Sequence, residues 1–210
     1  MSQSAGRGGV RLRVGIPGIL VVLLATGLLG VAAAVGQAHR AANAESCTGC
    51  LQASGVEACH KIAIELATSR EWDRAIAIEE QIHALQPMNA EVSAALAKMY
   101  AQGPHNTARA IGLYHEALHA ASGYPPALLG LGAVLQEEGE MELAARYFAR
   151  GAKERPDQPL FKVRLADVLV KSGRETEARP ILQEIVQRWP GSSEAASAQR
   201  MMSRTELARP

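Results

Sequence analysis

Residues 125–158 read PPALLGLGAVLQEEGEMELAARYFARGAKERPDQ. Leu128, Leu131 and Leu135 recur at steps of three and four, the spacing of one helix face. Gly132 carries no side chain beside Leu131, so a partner helix can come close. Gly139 follows the apolar run, at the place where a helix commonly ends on a left-handed glycine. A second run brings Ala144, Phe148 and Gly151 together, and Pro156 stops it because proline cannot continue a helix. The stretch therefore predicts two helices joined by a tight turn.

The same layout recurs on both sides. Ala144 stands twelve residues before Pro156, Ala178 twelve before Pro190, and Ala75 twelve before Pro87. Aligned on these alanines, the chain divides into units 56–89, 90–124, 125–158 and 159–192. The second unit has Ala110 in the alanine place, Ser122 in the proline place, and one extra residue near Gly103, Pro104 and His105. Its apolar set is Leu96, Ala97, Tyr100, Tyr114 and Ala117. That of the fourth unit is Leu165, Ala166, Leu169, Leu182 and Ile185, with Gly173 at the turn. A fixed period of this length is the mark of stacked supersecondary units, each burying its apolar face against the next.

The leucine-small pair, the apolar or Tyr position three later, the turn glycine, the alanine, the aromatic and the final proline together resemble the tetratricopeptide repeat family. The likeness covers about two thirds of the chain. It implies an all-α, right-handed superhelical solenoid of about four helix-turn-helix units. Unit one departs from the pattern: Cys59 stands where Trp is common, Arg70 where Gly is common, and Glu79 at the aromatic position. Trp72 is read as lying in the inter-helix turn. Pro180 falls inside the second helix of unit four, which predicts a late start or a kink. Ser192 or Ser193 can cap one more helix over 193–206, which would close the last apolar face, with a tail to residue 210.

Ahead of the repeats, Val14 to Gly36 is an uncharged run of 23 residues. As a helix it would span about 34 Å, enough for a bilayer core. Arg7, Arg11 and Arg13 precede it without an acid, which favours a cytoplasmic segment 1–13, a transmembrane helix or uncleaved signal anchor 14–36, and export of the rest. A cleaved signal peptide is the rival reading, with small-residue sites at Ala32–Ala34 and Ala42–Ala44. Residues 37–55 read as a linker carrying Cys47 and Cys50. The expectation is a single-pass protein of the bacterial inner membrane with its repeats in the periplasm. Beyond residue 40 there are 18 Lys plus Arg against 21 Asp plus Glu, a formal net of −3 that offers no footprint for nucleic acid.

All three cysteines lie between residues 47 and 59. A c-type haem needs Cys-x-x-Cys-His, and here Leu51 follows Cys50. Cys47, Cys50, Cys59 and His60 could form a zinc or iron–sulfur set, but at a spacing that matches no common site. A disulfide between Cys59 and Cys50 (or Cys47), pinning the linker over unit one, is preferred in an oxidising space. His115 and His119 are four apart on one helix, with His83 and His105 in neighbouring units, yet nothing fixes a third ligand beside them. The chain has no phosphate loop, nucleophile elbow or His-Glu-x-x-His motif, and so gives no reason to propose an enzyme or a cofactor.

The resemblance instead points to a groove. In tetratricopeptide arrays the first helices line a concave surface for a peptide or a partner helix. Carried onto this chain, the lining positions include His60 and Ile64, Glu91 and Lys98, Leu129 and Gln136, and Leu160, Val163 and Asp167. His60 and Ile64 stand where the chaperone-binding members keep their carboxylate clamp, which argues against that ligand. The expected role is a membrane-anchored scaffold for another protein, as an assembly factor or accessory subunit of a membrane complex, with self-association left open. The alternatives are a cytochrome c maturation factor holding apocytochrome, and a thiol or metal centre at Cys47, Cys50 and Cys59.

Overall fold

The computed structural model describes residues 55–104 and 106–207, all within the unit spanning 44–210. The uncharged run 14–36, the linker with Cys47 and Cys50, and His105 lie outside the described residues. Among the described residues no helix is long and apolar enough to cross a membrane.

The described chain is helical throughout: α1 (55–68), α2 (Trp72–Leu85), α3 (Ala90–Gln102), α4 (Thr107–Ala120), α5 (Pro125–Glu137), α6 (Met141–Glu154), α7 (Pro159–Lys171), α8 (Glu175–Arg188) and α9 (Ser193–Leu207). The starts follow from local chemistry. Asn89 caps α3 by accepting from the backbone N–H of Glu91 at 3.0 Å and of Val92 at 3.4 Å. Asn106 caps α4 by accepting from the N–H of Arg109 at 3.1 Å. Pro125 and Pro159 open α5 and α7, where their missing N–H costs nothing. The hydroxyl of Ser192 accepts from the N–H of Ala195 at 3.0 Å and opens α9.

The turns carry the repeat as plainly as the helices do. Glu71, Glu140 and Arg174 each donate their N–H to the carbonyl five residues back, on Leu66, Leu135 and Leu169, at 2.8 to 2.9 Å. The residue before each donor is left-handed: Arg70 at φ 63°, Gly139 at 85° and Gly173 at 72°. In unit two the matching bond runs from Asn106 to Tyr100, six residues back, which absorbs the extra residue.

Each helix from α2 onward packs on the next, and α3 also touches α5 as α7 touches α9. Alternate helices therefore meet along one side of the stack. One core runs from Cys59 and Ala63 of α1 to Val168 of α7. A second, around Ala166, Leu169, Ala178, Leu182, Ile185 and Ala198, joins α7, α8 and α9. Phe148 and Phe161 are wholly buried, each worth about 2–3 kcal/mol by transfer from water. Aromatic rings sit in glycine notches. A β-carbon on Gly132 would lie 2.5 Å from Phe148, one on Gly151 2.1 Å from Phe161, one on Gly130 2.2 Å from Tyr114, and one on Gly103 2.6 Å from Trp72.

Two expectations are corrected. Trp72 is not in the turn: it is the first residue of α2 and packs on Gly103 of unit two. Helix α8 starts at Glu175 and runs through Pro180 without a late start. Proline removes the N–H that would bond the Thr176 carbonyl, but Thr176 and Pro180 are both exposed, so water can take that acceptor's place.

Candidate functional site

The first helices of the four units, α1, α3, α5 and α7, surround a cavity of about 1020 Å³ open to solvent. His60 and Ile64 line it from α1, Glu91 and Lys98 from α3, Leu129 from α5, and Leu160 from α7. Ile64 and Leu160 leave 44% and 38% of their surface in water, large apolar side chains with nothing seated on them among the described residues. Three further candidates lie elsewhere. Val163 and Asp167 line a second cavity of about 240 Å³ between α7 and α9. Gln136 lines neither: its amide donates to Asp167 at 3.0 Å, tying α5 to α7.

Tyr114, Tyr124, Trp72 and Arg164 are among the residues of the large cavity that escaped the sequence reading. Tyr114 belongs to α4, on the far side of its unit, but its ring reaches through the stack because Gly130 leaves room for it. Gly130, two residues before Gly132, was the available signal. Tyr124 stands between units, where the period assigns no role, and Trp72 enters as the first residue of α2. Arg164 follows Val163 on α7 and borders both cavities. Burial, and then the charge of Glu137, pushes the Tyr114 phenol up to about 12. Burial, and then Glu91, also raises Tyr124. Both rings thus present neutral hydroxyls to whatever occupies the cavity.

The α1 end of the cavity carries a buried acid. Glu79 of α2 is wholly inaccessible and occupies the place held by Tyr114, Phe148 and Leu182 in the other units. Both of its oxygens lie near the His60 Nδ1, at 2.8 and 3.0 Å. The opposite nitrogen of His60 faces Glu91 at 3.8 Å. Burial raises the Glu79 carboxyl to about 7, and the attraction of His60 only partly offsets it. His60 therefore caps the acid as well as lining the cavity.

The remaining candidates are placed apart. Cys59 is wholly buried on α1, and its two possible partners lie outside the described residues. His83 is within 2.9 Å of Glu116, His115 meets the Tyr147 ring edge-on at 6.1 Å, and His119 is exposed. Among the described residues no group of three His, Cys, Asp or Glu side chains is arranged to hold a metal.

A family model described as tetratricopeptide repeat matches residues 101–162 and 135–202. Solved structures share the fold. YrrB, described as a TPR protein with an unusual peptide-binding site, is 19% identical over 79% of this chain and 87% of that one, with a TM-score of 0.59. PilF of Pseudomonas aeruginosa is 16% identical over 72% of this chain and 69% of its own, with a TM-score of 0.62. MamA is 16% identical over 78% of this chain and 89% of its own, with a TM-score of 0.59. At such identities the likeness speaks for the fold alone. No curated protein matches the chain.

Proposed function

The chain is a member of the tetratricopeptide repeat family, and from that premise we propose that it is a membrane-anchored scaffold whose concave groove holds a segment of a partner protein. The observation that carries the reading is the 1020 Å³ cavity along the first helices, with Ile64 and Leu160 exposed in it beside charged and phenolic groups. Exposed apolar anchors surrounded by a few polar groups make a surface for a peptide or a helix. YrrB, with its peptide-binding site, shares the architecture. The scaffold acts without catalysis, as an assembly factor or accessory subunit of a membrane complex.

The anchor rests on the uncharged run 14–36 and the arginines before it, which favour the inner membrane with the repeats in the periplasm. Anchoring raises the effective concentration of a groove that binds weakly by itself. The staple of Cys59 to Cys50 belongs to the same reading. What supports it is that Cys59 is buried and in its disulfide-bonded form, which suits an oxidising space and leaves little room for a thiol or metal centre.

The test is recovery of partners from native membranes in mild detergent, with the wild type and with Leu129→Glu plus Leu160→Glu. The expected result is a stoichiometric membrane partner with the wild type and its loss with the double variant, at unchanged helical circular dichroism. Equal recovery with both proteins defeats the groove reading. Recovery of apocytochromes would instead assign the protein to cytochrome c maturation.

A further inference from the structure

The smaller cavity, between α7 and the capping helix α9, is lined by three arginines: Arg164 from α7, and Arg200 and Arg204 from α9. Among the described residues none of the three is ion-paired to a carboxylate. Asp167 shares the cavity but is already engaged, by the ammonium of Lys171 at 2.8 Å and the amide of Gln136 at 3.0 Å. Arg200 donates to the hydroxyl of Ser197 at 2.9 Å, which holds it against the cavity wall. All three arginines are exposed beside the cavity of about 240 Å³, and an anion arriving there can accept from several of their donors.

Arg164 also borders the main groove, so the two cavities are neighbours that share this residue on α7. The groove itself carries both signs. Arg70 and Lys98 line it without an ion-pair partner among the described residues. Of its acids, Glu91 faces His60 and Glu137 stands beside Tyr114.

We infer that the cavity between α7 and α9 is a carboxylate-binding subsite, and that the partner segment in the groove is acidic, placing one or two Asp or Glu side chains or its terminal carboxylate against Arg164, Arg200 and Arg204. The inference rests on the groove reading and adds the chemistry of the partner and where its acidic end lies. The capping helix then does more than cover the last apolar face: it supplies two of the three cations.

The test uses two fluorescein-labelled twelve-residue peptides of alternating sequence, one of Leu and Glu and one of Leu and Lys, titrated with the full chain in detergent and followed by anisotropy. The wild type is expected to bind the Leu-Glu peptide at least tenfold more tightly than the Leu-Lys peptide. Arg164→Gln plus Arg200→Gln is expected to weaken Leu-Glu binding tenfold or more. Arg146→Gln plus Arg155→Gln, an equal charge change at exposed sites lining neither cavity, is expected to change it less than twofold. All variants are first checked for unchanged circular dichroism.

Equal weakening by the two arginine pairs would overturn the inference by showing only a diffuse charge effect. Binding that survives Arg164→Gln plus Arg200→Gln but is lost in Leu129→Ala plus Leu160→Ala overturns the subsite and leaves the groove standing. Indifference to both sets, or failure of both peptides to bind, removes the groove as well. Vesicles of phosphatidylglycerol serve as a last control. Binding to them that depends on Arg164 and Arg200, without peptide binding, would assign the cluster to a membrane surface and overturn the inference.

Discussion

Glu79 offers the sharpest test of the packing argument. A carboxyl stands wholly buried where the other units place Tyr114, Phe148 and Leu182, with His60 against it and Glu91 on the far side of His60. Its carboxyl is raised from an ordinary 4.5 to about 7 by burial. The folded protein therefore keeps a proton there that the unfolded chain has released. Stability due to this group is full below pH 4.5 and is lost as pH rises towards 7 and through it. The difference of about 2.5 units corresponds to a loss of about 3 kcal/mol over that window. Glu79→Gln keeps the shape and stays neutral, so it should gain on the wild type by that order between pH 5 and 8. The assay is urea unfolding at fixed temperature in half-unit steps of pH, read as variant minus wild type so that unrelated groups cancel. His60→Asn removes the imidazole whose attraction lowers the carboxyl, and should carry the wild-type decline to higher pH. A flat difference between Glu79→Gln and wild type, or a wild type that gains on the variant as pH rises, would refute the reasoning. Either result would mean that Glu79 is buried as the anion of an ion pair.

The strain at Arg70 and the ring seats give two further expectations. Arg70 holds the left-handed turn position that Gly139 and Gly173 hold elsewhere, at φ 63°. Arg70→Gly should raise stability by about 1 kcal/mol, seen as a higher urea midpoint at unchanged slope. Gly151→Ala would put a β-carbon 2.1 Å from the Phe161 ring, and overpacking of that kind costs about 1–3 kcal/mol. The double change Gly151→Ala with Phe161→Leu should recover part of the loss, and a double-mutant cycle with no coupling would show that the ring does not depend on the notch.

The helices and their order were legible because each unit repeats the same apolar steps and the same turn bond, and Leu131, Gly139 and Phe148 carry that signal without help from distant residues. The left-handed turn of unit one was legible only by position, since Arg70 gives no local sign that it will adopt a glycine conformation. Trp72 and Pro180 were misread for opposite reasons. Trp72 answers to a glycine thirty-one residues away, and spacing within its own unit cannot show that. Pro180 breaks a rule about helix interiors whose cost is small where water can reach the orphaned carbonyl of Thr176. The lining positions carried over for units one and two fall beside the large cavity. Val163, Asp167 and Gln136 do not, because the contact of α9 with α7 divides the surface there and Gln136 turns towards Asp167. Tyr114 joined the cavity through a gap in α5, which an account of α4 alone could not supply.

The ring seats carry a consequence for how such a chain can be rearranged. Three of them bridge neighbouring units: Trp72 into Gly103, Tyr114 into Gly130, and Phe161 into Gly151. The three junctions differ in ring, in register, and in whether the ring comes from the earlier or the later unit. Each joint is cut for its own neighbour, as a key is for one lock. Duplicating the second unit, or exchanging the second and third, would bring a tryptophan or tyrosine against a helix with no gap at that height. This array is therefore a sentence with a fixed word order, and recombination within it is barred by shape even where every unit would fold.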